Sequence, residues 1–406
     1  MNLALDYTNR DIKNIEIAIS GSKSESNRLL ILQKWYPNLV LKNLSDSDDT
    51  RHLQEALSST DKIVDISHAG TAMRFLTAYF AADEGREVIL TGSARMQDRP
   101  VKVLVDALRM LRAQIEYVNK EGYPPLRISG QKILKNEVSI QGNVSSQYIS
   151  ALLLLAPALE NGLEIELLEE ITSRPYLEMT IALLSQLGIA VSFEGNTIKV
   201  LPKNTIEDTV VTVESDWSSA SYFYSLVAMA KTGTVITLSS YKKDSLQGDA
   251  ILADIYTNFG VETQFATDKI LLKKTGKPSN NIQLDLRDAP DIAQTIVVTC
   301  YGLGVACDLT GLHTLKIKET DRLVALQNEL QKFGAVVEIS DVSLHLKDRK
   351  TDFKQYVTVE TYNDHRMAMA FAPLAIKVPL KIADAGVVSK SYVDFWTDLN
   401  KCFKNV

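Results

Sequence analysis

The strongest constraint on this chain is a unit that returns four times. From Ile181 the run Ala182-Leu183-Leu184-Ser185-Gln186-Leu187 keeps apolar residues three and four apart and stops at Gly188. It then passes through Ala190-Val191-Ser192-Phe193, a turn at Glu194-Gly195-Asn196, and Thr197-Ile198-Lys199-Val200. Spacing of three and four marks a helix with one buried face, and alternation after the glycine marks a strand pair. Glycine stops such a helix because it takes the left-handed cap conformation without strain. The same order recurs from Ile251 through Phe259-Gly260-Val261 to Ile270-Leu271-Leu272, and from Leu323 through Phe333-Gly334-Ala335 to Leu344-His345-Leu346. A looser copy runs from Val101 through Leu111-Arg112-Ala113 to Leu126-Arg127-Ile128. An ordinary helix cap explains any single copy. Four copies, each with its hairpin, predict an α/β protein built of βαβαββ units.

A second kind of helix lies between the hairpins, each opened by a short polar signature. Gly70-Thr71-Ala72-Met73-Arg74, Ser145-Ser146-Gln147, Asp216-Trp217-Ser218-Ser219 and Asp288-Ala289-Pro290-Asp291 all lead into apolar stretches. Ser, Asp and Gly are good N-caps, so capping alone accounts for any one of them. With 406 residues, 45% of them hydrophobic, the chain has material for two or three full cores. The opening Met1-Asn2-Leu3-Ala4-Leu5-Asp6 has no basic region followed by a sustained apolar one, so no secretory leader is expected. The longest apolar run, around Ala151 to Ala156, meets Pro157 well short of the ~20 residues that span a bilayer. A cytoplasmic protein is expected. Cys300, Cys307 and Cys402 show no C-x-x-C spacing and are expected to be buried thiols, with neither disulfide nor metal.

Charge narrows the function further. Lys and Arg number 44 against 50 Asp and Glu, a net charge of -6, which argues against nucleic acid and anionic membrane as partners. Yet Lys23, Arg28, Arg95, Lys318, Arg322, Arg366 and Lys390 sit in polar segments that each run into an apolar helical stretch. In Ser20-Gly21-Ser22-Lys23-Ser24-Glu25-Ser26-Asn27-Arg28, small hydroxyl residues give way to Leu29-Leu30-Ile31-Leu32. Free N–H groups and the positive end of a helix dipole favour phosphate or carboxylate at such a junction. A small, multiply charged anion is the expected partner.

Six segments resemble, in order and over nearly the whole chain, the signatures of the 3-phosphoshikimate 1-carboxyvinyltransferase (EPSP synthase) family. They are Gly21-Ser22-Lys23-Ser24-x-Ser26-Asn27-Arg28, Ala69-Gly70-Thr71-Ala72-Met73-Arg74, Arg95-Met96-x-x-Arg99-Pro100, Val144-Ser145-Ser146-Gln147, Lys318-Glu319-Thr320-Asp321-Arg322 and Tyr362-Asn363-Asp364-His365-Arg366-Met367-Ala368-Met369. Any one of them alone is an ordinary polar turn. The resemblance implies an inside-out α/β barrel in each of two similar domains, each of three βαβαββ units, with helix N-termini facing a central interdomain cleft. Matching motifs place one domain at residues 21–214, its first repeat shortened, and the other at residues 1–20 and 215–406. The implied reaction moves the enolpyruvyl group of phosphoenolpyruvate to the 5-hydroxyl of shikimate 3-phosphate, with no cofactor or metal and in a monomer. With about -1.5 to -2 per phosphate and a carboxylate on each substrate, roughly -5 to -6 enters one site. Seven cations match that demand.

Carried over by position, Ser24, Arg28, Ser145, Ser146 and Ser173 are expected to hold shikimate 3-phosphate, with Lys23, Gln147, Asp291 and Lys318 also reaching it. Lys23, Arg95, Gln147, Arg322, Arg366 and Lys390 are expected around phosphoenolpyruvate, with Gly70 admitting close backbone approach. Asp291 and Glu319 match the family's carboxylates for base and acid work, and Lys23 is an alternative proton donor. Before the resemblance, Asp291 after Pro290 reads as an N-cap, and His365 as a hydrogen-bonding structural histidine. Three positions depart from the family: His68 and Phe75 flank the Ala69-Gly70-Thr71 segment, and Thr314 replaces a frequent Asn. The sister family that acts on a UDP-amino sugar is the nearest rival; it uses a loop cysteine, and no cysteine lies near Arg95. A catalytically inactive module that binds shikimate 3-phosphate is the other.

Overall fold

The computed structural model describes residues 2–171, 174–347 and 353–403. The chain divides into two compact units, one of Gly21–Val213 and one of Met1–Ser20 with Glu214–Val406.

In the Gly21–Val213 unit two four-stranded sheets share one plan. Ile63–Asp65 pairs in parallel with Glu87–Thr91, which pairs antiparallel with Leu126–Ser129, and that strand with Gln114–Tyr117. Likewise Glu137–Gln141 lies parallel to Leu163–Leu168, followed by Thr197–Val200 and Val191–Glu194 in antiparallel register. Each parallel pair needs a crossover, supplied by the helices Gly70–Ala82 and Ser146–Leu155. The helices Lys102–Met110 and Arg174–Gln186 lead into the hairpins. The third sheet is abbreviated to Leu39–Lys42 beside Thr209–Thr212. Helix Asp48–Ser58 passes to Ile63–Asp65 with no hairpin between.

The other unit repeats the plan. Ile15–Ala18 lies parallel to Val235–Ser239, followed by Lys269–Lys274 and Val261–Ala266. Asn281–Asp285 lies parallel to Ala306–Thr310, followed by Leu344–Leu346 and Val337–Ile339. Its third sheet is Leu3–Leu5, Leu380–Ile382 and Val357–Val359. Two of these pairings carry the first residues of the chain into a unit made mostly of its second half.

The crossover helices are the cores. All of Trp217–Met229 is buried, as is Gly70–Ala82 up to Ala81 and Ala293–Leu303 up to Gly302. A helix apolar on all sides is stable only when neighbours surround it. Its N-terminal turn is then the part that reaches a surface, which is where the polar signatures stand. The helix stops follow the sequence reading closely: Gly188, Gly260 and Gly334 have φ of +70°, +69° and +96°, and Arg112 takes +70° in the looser copy. Among the described residues no helix is long and apolar enough to cross a membrane, and no group of three His, Cys, Asp or Glu could hold a metal ion.

Candidate active site

In the Glu214–Val406 part, five of the expected residues meet around one carboxylate. Asp291 lies in the 3-10 turn Pro290–Ile292 and caps no helix. Its Oδ1 accepts from Arg322 Nη1 at 2.9 Å and faces Lys318 Nζ at 3.5 Å; its Oδ2 accepts from Arg366 Nη2 at 3.2 Å. The N-cap reading therefore fails, because both oxygens are turned to cations. Arg322 is only 1% exposed and divides its fork among three acids. Besides Asp291, Nη2 donates to Glu319 Oε2 at 2.8 Å and Nε to Asp364 Oδ2 at 2.7 Å. Burial alone would lower the pKa of this guanidinium; Asp364, Glu319 and Asp291 outweigh it and raise the pKa above its ordinary value. The charge is thus locked on, and Arg322 fixes the spacing of Asp291 and Glu319.

Local structure explains the convergence. Arg322 opens the helix Arg322–Lys332, capped by Asp321, whose Oδ1 accepts from the Leu323 and Val324 N–H groups. Asp364 caps His365–Phe371 by accepting from the Arg366 N–H at 2.8 Å, and its other oxygen takes Arg322. Just before it, Tyr362 and Asn363 both hold positive φ, +53° and +57°. Two consecutive left-handed side-chain-bearing residues cost on the order of 1–3 kcal/mol each and are typical of constrained functional turns. That turn directs Asn363 O and Oδ1 to Lys390 Nζ, each at 2.8 Å. Lys390 thereby joins the site through Asn363.

Three residues of this cluster carry no assigned role in the sequence: Asp364, inside the last of the six segments, Ser218, inside a helix-opening signature, and Asp249, in neither. Ser218 donates to Asp249 and accepts from Arg366 Nη2 at 3.2 Å. Asp249 is buried, and burial, then the neighbouring Asp291 charge, pushes its carboxyl up to about 6. Nothing local to Gln247-Gly248-Asp249 signals this, since the effect comes from residues distant in sequence.

The Gly21–Val213 unit holds a different set. Lys23, Ser24 and Arg28 stand on the first two turns of Lys23–Trp35, whose cap is Ser22. Arg28 is buried and gives its fork to neutral oxygens: Thr180 Oγ1 at 2.7 Å, Ser24 O at 2.8 Å, Ser150 Oγ at 3.0 Å and Tyr176 O at 3.3 Å. Its guanidinium lies 5.5 Å from the Phe75 ring and 5.9 Å from Tyr176, so the unusual Phe75 is a support for Arg28. Burial lowers the Arg28 pKa to about 10. Ser145 is the N-cap of Ser146–Leu155 yet makes no side-chain cap bond, and Ala69 provides none for Gly70–Ala82. Neither helix start is closed by its cap side chain, and Gln147 Nε2 joins the two by donating to Thr71 Oγ1 at 3.2 Å. Arg95 is exposed on the short helix Ala94–Gln97 and is not drawn to the others. Ser173 lies outside the described residues.

The two halves differ in electrostatic state. Around Asp291 every cation already has an oxygen partner, whereas Lys23, Arg95 and Arg99 hold no ion pair or side-chain hydrogen bond among the described residues.

The family model for EPSP synthase (3-phosphoshikimate 1-carboxyvinyltransferase) matches residues 49–399. A 3-phosphoshikimate 1-carboxyvinyltransferase of Bacteroides fragilis is 45% identical, covering 95% of this chain and 94% of that protein. One of Histophilus somni is 36% identical, with 96% of each covered. Among solved structures, an EPSP synthase from Acinetobacter baumannii aligns with a TM-score of 0.78 over 99% of this chain and 98% of that one, at 19% identity. The enolpyruvyl transferase NikO from Streptomyces tendae aligns at 0.75 with 14% identity, over the same shares. At those identities the two structures speak for the fold alone. By the family match and the near-full-length relatives, this chain belongs to the EPSP synthase (3-phosphoshikimate 1-carboxyvinyltransferase) family.

Proposed function

We propose that this chain transfers the enolpyruvyl group of phosphoenolpyruvate to the 5-hydroxyl of shikimate 3-phosphate by addition and elimination, releasing phosphate. The observation that carries the mechanism is Asp291, a carboxylate that caps nothing and is held by Arg322, Arg366 and Lys318. In the addition, Asp291 takes the proton of the 5-hydroxyl as its oxygen bonds to C2 of phosphoenolpyruvate, while Glu319 or Lys23 protonates C3. In the elimination the roles reverse: the group that protonated C3 takes a proton back from the new methyl group, and Asp291 gives its proton to the departing phosphate as the C2–phosphate bond breaks. Arg322 touches both Asp291 and Glu319, which suits a base and an acid that must keep a set separation. Ser24, Arg28, Ser145, Ser146 and Ser173 are assigned to shikimate 3-phosphate, with Lys23, Gln147, Asp291 and Lys318. Lys23, Gly70, Arg95, Gln147, Arg322, Arg366 and Lys390 are assigned to phosphoenolpyruvate. The uncapped start of Ser146–Leu155 supports the first assignment, because its serine hydroxyls and N–H groups are left for an anion. On the same reading the enzyme works as a cytoplasmic monomer.

The test is phosphate release. It should require both substrates together, and UDP-N-acetylglucosamine should not replace shikimate 3-phosphate. Absence of phosphate release with both substrates, despite binding of shikimate 3-phosphate, would leave only an inactive binding module.

A further inference from the structure

Glu329 is a carboxylate on the apolar side of its helix. On Arg322–Lys332 it stands among Leu323, Leu326 and Leu330, and like them it is fully buried. Burying a carboxylate is costly unless it is paired and its oxygens accept hydrogen bonds. Glu329 meets both conditions. Its Oε2 accepts from Lys332 Nζ at 2.7 Å and from the Glu360 N–H at 3.0 Å, and its Oε1 accepts from Tyr362 Oη at 2.6 Å. Burial, and then the bond to Glu329, pushes the Tyr362 hydroxyl up to about 12, so it stays a donor at neutral pH.

Two of these three bonds reach the turn that leads into the site. Tyr362 and Asn363 both hold positive φ, and such a pair persists only where its surroundings over-determine it. The supports come from one helix. Arg322 Nε holds Asp364 at one end of the turn at 2.7 Å, and Glu329, two helical turns further along, holds Glu360 and Tyr362 at the other. Residues seven apart share a helix face, so one face of Arg322–Lys332 grips the turn at both ends. Between the grips, Asn363 O and Oδ1 each accept from Lys390 Nζ at 2.8 Å, which aims that ammonium. Lys332 is partly exposed and donates also to Thr358 O, in the strand before the turn.

We infer that Glu329 is a positioning residue for the phosphoenolpyruvate site: through Tyr362 and the Glu360 N–H it fixes the turn that aims Lys390. This rests on the reading that Lys390 binds phosphoenolpyruvate. Glu329 itself touches no reacting group.

Tyr362→Phe and Glu329→Gln test the inference, read as KM for each substrate, kcat and Tm. Tyr362→Phe removes one bond to the turn and should raise KM for phosphoenolpyruvate by about 3- to 10-fold, the range of one lost hydrogen bond, with KM for shikimate 3-phosphate within about twofold. Glu329→Gln should move the same KM in the same direction. Lys332→Met removes the counter-charge but neither of the bonds from Glu329 to the turn, so it should lower Tm and leave both KM values within about twofold. In a Lys390→Met background, Tyr362→Phe should add almost nothing to KM for phosphoenolpyruvate, because both changes act through the same ammonium. A lower Tm with both KM values unchanged in Tyr362→Phe and Glu329→Gln reduces Glu329 to a structural role and overturns the inference. An equal rise from Lys332→Met, or a full additional effect in the Lys390→Met background, overturns it too. If the wild-type chain releases no phosphate, the reaction reading fails separately. Calorimetric titration with phosphoenolpyruvate in the presence of shikimate 3-phosphate then decides: weaker binding to Tyr362→Phe upholds the positioning role, and equal affinity rejects it.

Discussion

Asp291 shows how a residue's surroundings decide its chemistry. Replacing it with Asn keeps the size and one acceptor oxygen but puts an NH2 group against Arg322, Arg366 or Lys318. Asp291→Asn should lower kcat by about 10²–10⁴-fold, the usual effect of losing a positioned base, with shikimate 3-phosphate still binding in a titration. Turnover near wild type would remove Asp291 from the reaction. Asp249 makes a pH prediction. Its carboxyl holds a proton up to about pH 6 in the folded chain against 3.8 as the ordinary value, so the folded state binds more protons than the unfolded between those limits. Stability contributed by this group is therefore full below about pH 4 and is lost as pH rises toward 6, by on the order of 3 kcal/mol. Asp249→Asn keeps an acceptor for Ser218 and removes the titration. Urea unfolding at pH 4 and pH 7 should show the mutant gaining on wild type between them; parallel stability curves would refute this.

At the scale of elements, the four helix stops offer an internal comparison. Each takes positive φ, and the bond closing the stop recurs: Ile189 N–H to Leu184 O at 3.1 Å, Ala335 N–H to Leu330 O at 3.1 Å and Ala113 N–H to Leu108 O at 2.9 Å. Arg112 alone carries a side chain there, exposed to solvent, and pays the left-handed penalty of roughly 1–2 kcal/mol. Part of that returns when glycine lowers the order of the unfolded chain, so Arg112→Gly should stabilise by up to about 1 kcal/mol. Gly260→Ala should do the opposite and more strongly, since its Cβ would meet Gly276 O at 2.2 Å, a backbone atom that cannot swing aside. Thermal melts of both mutants check this, and a destabilised Arg112→Gly would show that the cap conformation is not under strain. The stops and hairpins were legible because they depend on residues within one turn of each other. The buried crossover helices were legible too, from apolar runs opened by polar signatures. The abbreviated third sheets were harder to see, because their strands are three or four residues long and take partners from far along the chain, as Leu39–Lys42 does with Thr209–Thr212.

At the scale of the whole molecule, the unpaired cations and uncapped helix starts of the Gly21–Val213 unit make the protein's stability depend on anions. Shikimate 3-phosphate at about 100 times its Kd should add about 2.7 kcal/mol, seen as a rise in Tm that grows with ligand concentration. A Tm indifferent to saturating ligand would contradict the assignment of Ser145 and Ser146 to that substrate. What could be read from residue order alone was the α/β class, its repeat, and the family, because periodicity and motif spacing are properties of the chain itself. The motifs also single out Asp291, Glu319, Arg322 and Arg366. Their joint arrangement belongs to the fold: Arg322 reaches Asp291 31 positions away and Asp364 42 positions away, and no local pattern encodes such a meeting. The same reason hid Asp249, whose raised pKa comes from burial and from Asp291, and the Arg99 fork that lies against Gly70. Charge and hydrogen bonding act through space over a few ångströms, so which groups share a site is settled only when the chain has packed.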